Sequence, residues 1–152
     1  MSSNPTIYFG YPLSNVAQEY RVRGVQIRSE LAKYYKILEF YSNPAEMNFD
    51  QNSVQICQDI YNWDKNCVES CDVFVAFGDY PSTGLGMELA FAISSKKPIL
   101  LLCQKGNLIS RMPKGITGTV FEYAEYQSDS ELLPIIQTFI KKLGSGKYSV
   151  DI

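Results

Sequence analysis

The sequence predicts an α/β fold, a doubly wound parallel sheet of five strands with helices on both faces. Three observations carry this. Val73-Phe74-Val75-Ala76-Phe77 and Ile99-Leu100-Leu101-Leu102 are unbroken apolar runs, the pattern of central strands covered on both sides. Apolar runs bounded by turn residues alternate along the chain with longer amphipathic stretches, as βαβ units require. The length of 152 residues, 45% of them hydrophobic, suits one domain spanning residues 1–152 that buries its own core. The fold class expected is therefore single-domain and flavodoxin- or Rossmann-like.

Taken in order, the strands are expected at Thr6–Gly10, Ile37–Tyr41, Val73–Phe77, Ile99–Cys103 and Thr119–Tyr123. Helices are expected at about Ser14–Tyr35, Ser53–Ser70, Gly84–Ser95 and Ser130–Leu143. In the last of these Ser130 is read as the N-cap and Gly144 as the stop. Asn43–Asn52, with Pro44 and three asparagines, reads as a loop rather than a linker. There are no internal repeats and no low-complexity tract.

Composition removes several classes of function. A net charge of -2 and a pI near 5.2 leave no basic stripe to neutralise a phosphate backbone, so nucleic acid polymers are not expected partners. Cys57, Cys67, Cys71 and Cys103 form no CxxC pair. They read as small apolar fillers of a reduced, cytoplasmic protein rather than as metal ligands, and neither a metal nor a cofactor is expected. No apolar run approaches the ~18 residues that span a bilayer, and no basic segment opens an apolar leader. The chain contains no histidine. That excludes Ser-His-Asp and Cys-His catalysis and leaves acid-base work to carboxylates, Tyr, Lys or Cys.

In an open parallel sheet, ligands bind beyond the carboxyl ends of the strands. The most unusual segment there is Pro81-Ser82-Thr83-Gly84-Leu85-Gly86-Met87-Glu88, where glycines and hydroxyls lead into a helix whose first turn carries a carboxylate. Glycines admit a ligand to the backbone, and helix amides favour anionic or oxygen-rich groups. On spacing alone, the commoner explanation of Glu88 is a first-turn acid complementing the helix dipole.

The segment Gly84-Leu85-Gly86-Met87-Glu88-Leu89 stands between the strand Asp72–Phe77 and Lys97-Pro98-Ile99-Leu100-Leu101. It resembles the signature of the nucleoside 2-deoxyribosyltransferase family. Thr6-Ile7-Tyr8-Phe9-Gly10, Tyr61-Asn62-Trp63-Asp64 and Asn107-Leu108-Ile109-Ser110 resemble further family segments, in family order across roughly residues 6–126. The resemblance implies that Glu88 attacks the anomeric carbon of the sugar and forms a covalent glycosyl-enzyme while the nucleobase leaves. It implies that Tyr8 orients that carboxylate and that Asp64 protonates the departing base. Gly10, Ser82, Gly84, Gly86, Asn107 and Ser110 would bind substrate. Asn107 and Ser110 would reach the sugar's 5' end from a neighbouring subunit of a homo-oligomer, a dimer or hexamer with shared sites. Taken singly, Tyr8 reads equally as strand packing, Asp64 as a solvated helix acid, and Asn107 and Ser110 as turn residues or caps.

Departures from the family pattern bear on the acceptor of the sugar. Ser82 stands where the transferases carry an aspartate, as it does in relatives that hydrolyse nucleoside 5'-monophosphates, and a hydroxyl can donate to phosphate. The arginine of those hydrolases after the first strand is missing from Tyr11-Pro12-Leu13-Ser14. The chain ends Ser149-Val150-Asp151-Ile152 rather than in the tyrosine of the transferases. The transferase-like segments make transfer of 2-deoxyribose between nucleobases the expected reaction. Hydrolysis of (deoxy)nucleoside 5'-monophosphates is the alternative, and a non-catalytic nucleotide sensor a third reading. The expected partners are nucleosides or their monophosphates and free nucleobases.

Overall fold

The computed structural model describes residues 4–38 and 53–147. The far end of the expected strand Ile37–Tyr41, the expected loop Asn43–Asn52 and the terminal Ser149–Ile152 lie outside the described residues.

Five strands, β1 (Thr6–Gly10), β2 (Lys36–Leu38), β3 (Val73–Phe77), β4 (Ile99–Gln104) and β5 (Phe121–Tyr126), form one sheet in the order β2-β1-β3-β4-β5. Every pairing is parallel. The helices are α1 (Gln18–Leu31), α2 (Val54–Ser70), α3 (Thr83–Ser94), the short α4 (Arg111–Lys114) and α5 (Leu132–Gly144), the last preceded by a 3-10 turn at Asp129–Glu131. The apolar runs read from the sequence are the sheet centre: all five residues of β3, and β4 from Ile99 to Cys103, are buried.

Alternation of side chains along each strand divides the core in two. Ile7, Phe9, Val75, Phe77, Leu100 and Leu102 face one way and pack on Tyr20, Ile27 and Leu31 of α1 and Leu132, Ile136 and Phe139 of α5. Tyr8, Phe74, Ala76, Ile99 and Leu101 face the other way and pack on Cys67 and Val68 of α2 and Leu85, Leu89 and Ala92 of α3. Winding from β1 outward in both directions places α1 and α2 on opposite faces and opens a crevice between the carboxyl ends of β1 and β3.

Several boundaries differ from expectation for local reasons. Helix α1 begins at Gln18 rather than Ser14, because Asn15 has φ 50 and Ala17 is extended. It stops at Leu31, since β2 must start at Lys36 to pair with Thr6. Strand β5 begins two residues late, after Gly118 (φ 82) and Thr119, whose hydroxyl donates to the Lys97 carbonyl at 2.7 Å. Ser130 does not cap α5: its hydroxyl pairs with that of Ser128 at 2.8 Å, and the 3-10 turn leads directly into the helix. Gly144 closes the helix, but the left-handed reversal falls at Gly146. Cys67, Cys71 and Cys103 are buried fillers, whereas Cys57 is exposed on α2.

Candidate active site

Three side chains meet on the α2–α3 side of the β1/β3 crevice. Tyr8 projects from the middle of β1 into that layer, edge-on to Phe74 with ring centroids 5.2 Å apart. Asp64 lies on α2 three and four residues before the buried pair Cys67 and Val68, so it sits on the helix's core-facing stripe. Glu88 likewise shares the stripe of Leu85, Leu89 and Ala92 on α3. Each helix thus carries a carboxylate where an apolar side chain would pack most easily.

The Tyr8 hydroxyl donates to Glu88 Oε1 at 2.9 Å, and Asp64 interacts with the same hydroxyl. A phenol has one proton to give. With that proton on Glu88, Asp64 stands beside the pair as a second carboxyl whose charge acts on both.

Burial and charge act together on these groups. Burial, and then the charge of Asp64, raise Glu88 to about 7, against the lowering effect of the Tyr8 hydrogen bond. Burial raises Asp64 to about 6. Burial, followed by the two neighbouring carboxylates, pushes Tyr8 far above its usual range, so it remains a donor at any working pH. Between about pH 6 and 7 the pair holds about one proton, leaving one carboxylate and one carboxylic acid side by side.

The other expected ligands divide into two groups. Ser82 caps α3, its Oγ accepting from the Leu85 amide at 3.2 Å, which leaves its own proton for a ligand. It lines a cleft of about 320 Å³ together with Gly86 and Ser110, walled by Leu85, Leu89 and Ile109. Ser110 stands at the N-cap of α4 but makes no capping bond. A methyl group added at Gly86 would meet nothing within 4 Å, and one at Gly84 only Ser82 Oγ at 3.9 Å. No packing contact therefore calls for glycine at either position.

Gly10 and Asn107 serve the scaffold in the described chain. A Cβ at Gly10 would fall 2.4 Å from Phe74 and 2.8 Å from Leu85, so this glycine lets α3 close on the sheet. The Asn107 amide donates to the Asp79 carbonyl at 3.3 Å, joining two turns. Arg21, in the first turn of α1, donates from Nε to the Leu13 carbonyl at 2.9 Å. Among the described residues no group of three His, Cys, Asp or Glu side chains is arranged to hold a metal ion, and no helix is long and apolar enough to cross a membrane.

A doubly wound sheet with a tyrosine-held carboxylate at its switch point defines a class of α/β enzymes acting on small ligands. Comparison with known proteins narrows it. No protein-family model matches the chain. The 5-hydroxymethyl-dUMP N-hydrolase of Rattus norvegicus is 33% identical over 114 residues, 70% of each protein. A putative 2'-deoxynucleoside 5'-phosphate N-hydrolase of Thermofilum pendens is 29% identical over 124 residues, covering 74% of this chain and 87% of that protein. Among solved structures, a 2-deoxyribosyltransferase of Bacillus psychrosaccharolyticus superposes with a TM-score of 0.58 at 18% identity, over 84% of this chain and 89% of that one. The chain belongs to the nucleoside 2-deoxyribosyltransferase family, which includes the related 2'-deoxynucleoside 5'-monophosphate N-hydrolases. It is an enzyme that cleaves N-glycosyl bonds.

Proposed function

We propose that the protein is a 2'-deoxynucleoside 5'-monophosphate N-hydrolase working through Glu88. The observation that carries this reading is the Tyr8 hydroxyl at 2.9 Å from Glu88, with Asp64 close enough for its charge to raise Glu88. The reactive form is the one with the shared proton on Asp64 and Glu88 ionised and held by Tyr8, and in it Glu88 attacks C1' of the sugar. Asp64 delivers its proton to the departing base, which would otherwise leave as a poor anionic leaving group. The covalent glycosyl-Glu88 is then hydrolysed by water, with Asp64, now ionised, accepting the proton. This double displacement is the course of a retaining glycosidase.

Sequence reasoning set transfer to a second nucleobase above hydrolysis. The hydrolase names of the relatives favour the alternative, and the cleft supports it. Ser82 and Ser110 present hydroxyls, and the amides of Thr83 and Gly84 open α3 beside them, a set of donors suited to a 5'-phosphate. A carboxylate in place of Ser82 would repel that group. The test compares dCMP with deoxycytidine as donors, each with and without free adenine. The reading predicts that dCMP is cleaved at least tenfold faster in kcat/KM, a difference of about 1.4 kcal/mol, and that adenine captures no sugar. Formation of deoxyadenosine from deoxycytidine and adenine at a higher rate would restore the transferase reading.

A further inference from the structure

Asp79 is almost wholly buried, 5% exposed, and the reaction above does not use it. It follows the turn residue Gly78 after β3, three residues before Ser82. Its Oδ2 accepts from Tyr20 Oη at 3.0 Å, from Tyr126 Oη and from Arg23 Nη1 at 3.3 Å. Its Oδ1 accepts from the Gln104 amide at 2.7 Å, and its carbonyl accepts from the Asn107 side chain. Arg23, which also holds Asp129, compensates the charge.

These bonds converge from α1, from the end of β4 and the turn beyond it, and from the end of β5. The two turns they fix are those that bring Ser82 and Ser110 to the same cleft. The turns already touch: a Cβ at Gly78 would fall 2.5 Å from Ile109. Tyr8 and Asp64 belong to β1 and α2 and make none of these bonds.

We propose that Asp79 is a positioning residue that sets the spacing of Ser82 and Ser110, and through it the preference for a 5'-phosphate over a 5'-hydroxyl. The proposal rests on the monophosphate reading above. A buried carboxylate with every acceptor occupied holds its partners in one arrangement, and loss of one partner leaves the others misplaced. Asparagine offers an amide N–H toward the two tyrosine hydroxyls and Arg23, where an acceptor is required.

The experiment measures kcat and KM of wild type, Asp79→Asn and Tyr126→Phe with dCMP and with deoxycytidine, across pH. Asp79→Asn is expected to raise KM for dCMP about tenfold, with kcat within about twofold, kcat/KM for deoxycytidine unchanged and the pH optimum unmoved. Tyr126→Phe removes a single donor and should move KM in the same direction by about threefold. It carries the test if Asp79→Asn fails to fold. A parallel loss with both substrates, following the folded fraction in a thermal melt, overturns the proposal, as does a fall in KM for dCMP from the removed negative charge. If wild type shows no preference for dCMP, the monophosphate reading fails and takes this proposal with it. If wild type prefers dCMP and the variants lose both substrates equally, this proposal fails alone.

Discussion

At the scale of single residues the account turns on two carboxyls and one phenol. Activity needs the pair to hold one proton, so kcat/KM should peak between about pH 6 and 7, the values to which burial brings Asp64 and Glu88. Tyr8 lowers both Glu88 and Asp64, so Tyr8→Phe should move both limbs of the profile upward and reduce kcat by about 10- to 100-fold. An unmoved limb would show that the phenol does not tune the nucleophile. The same burial has a cost in stability. Glu88 is raised in the folded state from 4.5 to about 7, so its favourable contribution is complete below pH 4.5 and is lost as the pH rises through 7. Glu88→Gln should therefore stabilise the protein at pH 8 by on the order of 3 kcal/mol, while the gain nearly vanishes at pH 4.5. Urea melts at the two pH values check this, and a gain independent of pH would contradict it. Glu88, Tyr8 and Asp64 were legible because a family signature marks them; their proximity was not, since it depends on three elements meeting on one face. Asp79 was missed, although a carboxylate directly after an all-apolar central strand is a signal that could have been followed.

At the scale of elements, β1, α2, β3, α3 and β4 were legible within a residue or two, because apolar runs bounded by turn residues mark the strands and longer amphipathic stretches the helices. The ends governed by special backbone were not. Asn15 and Gly118 at positive φ delay α1 and β5, and no periodicity announces this. Strand β5 was further obscured because Glu122 and Glu125 interrupt its apolar residues at a sheet edge. Helix α4 has four residues and contains Pro113, too short to show a helical period. Asn107 shows how one residue type serves two ends: the resemblance assigns it to substrate, while its amide bridges two turns. Helix α3 also offers a test. Gly86 lies inside α3 with open space where a Cβ would stand, so alanine there should add about 0.5 to 1 kcal/mol of stability. The methyl would occupy the cleft, and kcat/KM for dCMP should fall about tenfold. A more stable Gly86→Ala enzyme with unchanged kinetics would remove the cleft from the substrate path.

At the scale of the whole molecule, the doubly wound topology accounts for the position of the site. Only at the β1/β3 switch point do helices depart to opposite faces and leave strand ends uncovered. The loop beside the cleft carries Leu108 and the short α4 that follows it carries Met112, 96% and 87% exposed, and apolar side chains so placed are commonly covered by association. Sequence reasoning expected a homo-oligomer with shared sites, and this loop is the candidate contact. Sedimentation at micromolar concentration should show a dimer or larger species, and Leu108→Asp with Met112→Asp should shift it toward monomer. A wild-type monomer of full activity would contradict that expectation. The most direct test of the central claim is intact-protein and peptide mass spectrometry after exposure to a 2'-deoxy-2'-fluoro nucleoside 5'-monophosphate, whose fluorine slows hydrolysis of a glycosyl-enzyme. The account predicts one sugar phosphate per chain, attached to Glu88 and absent from Glu88→Gln. A label on another residue, or undiminished turnover of dCMP by Glu88→Gln, would contradict it.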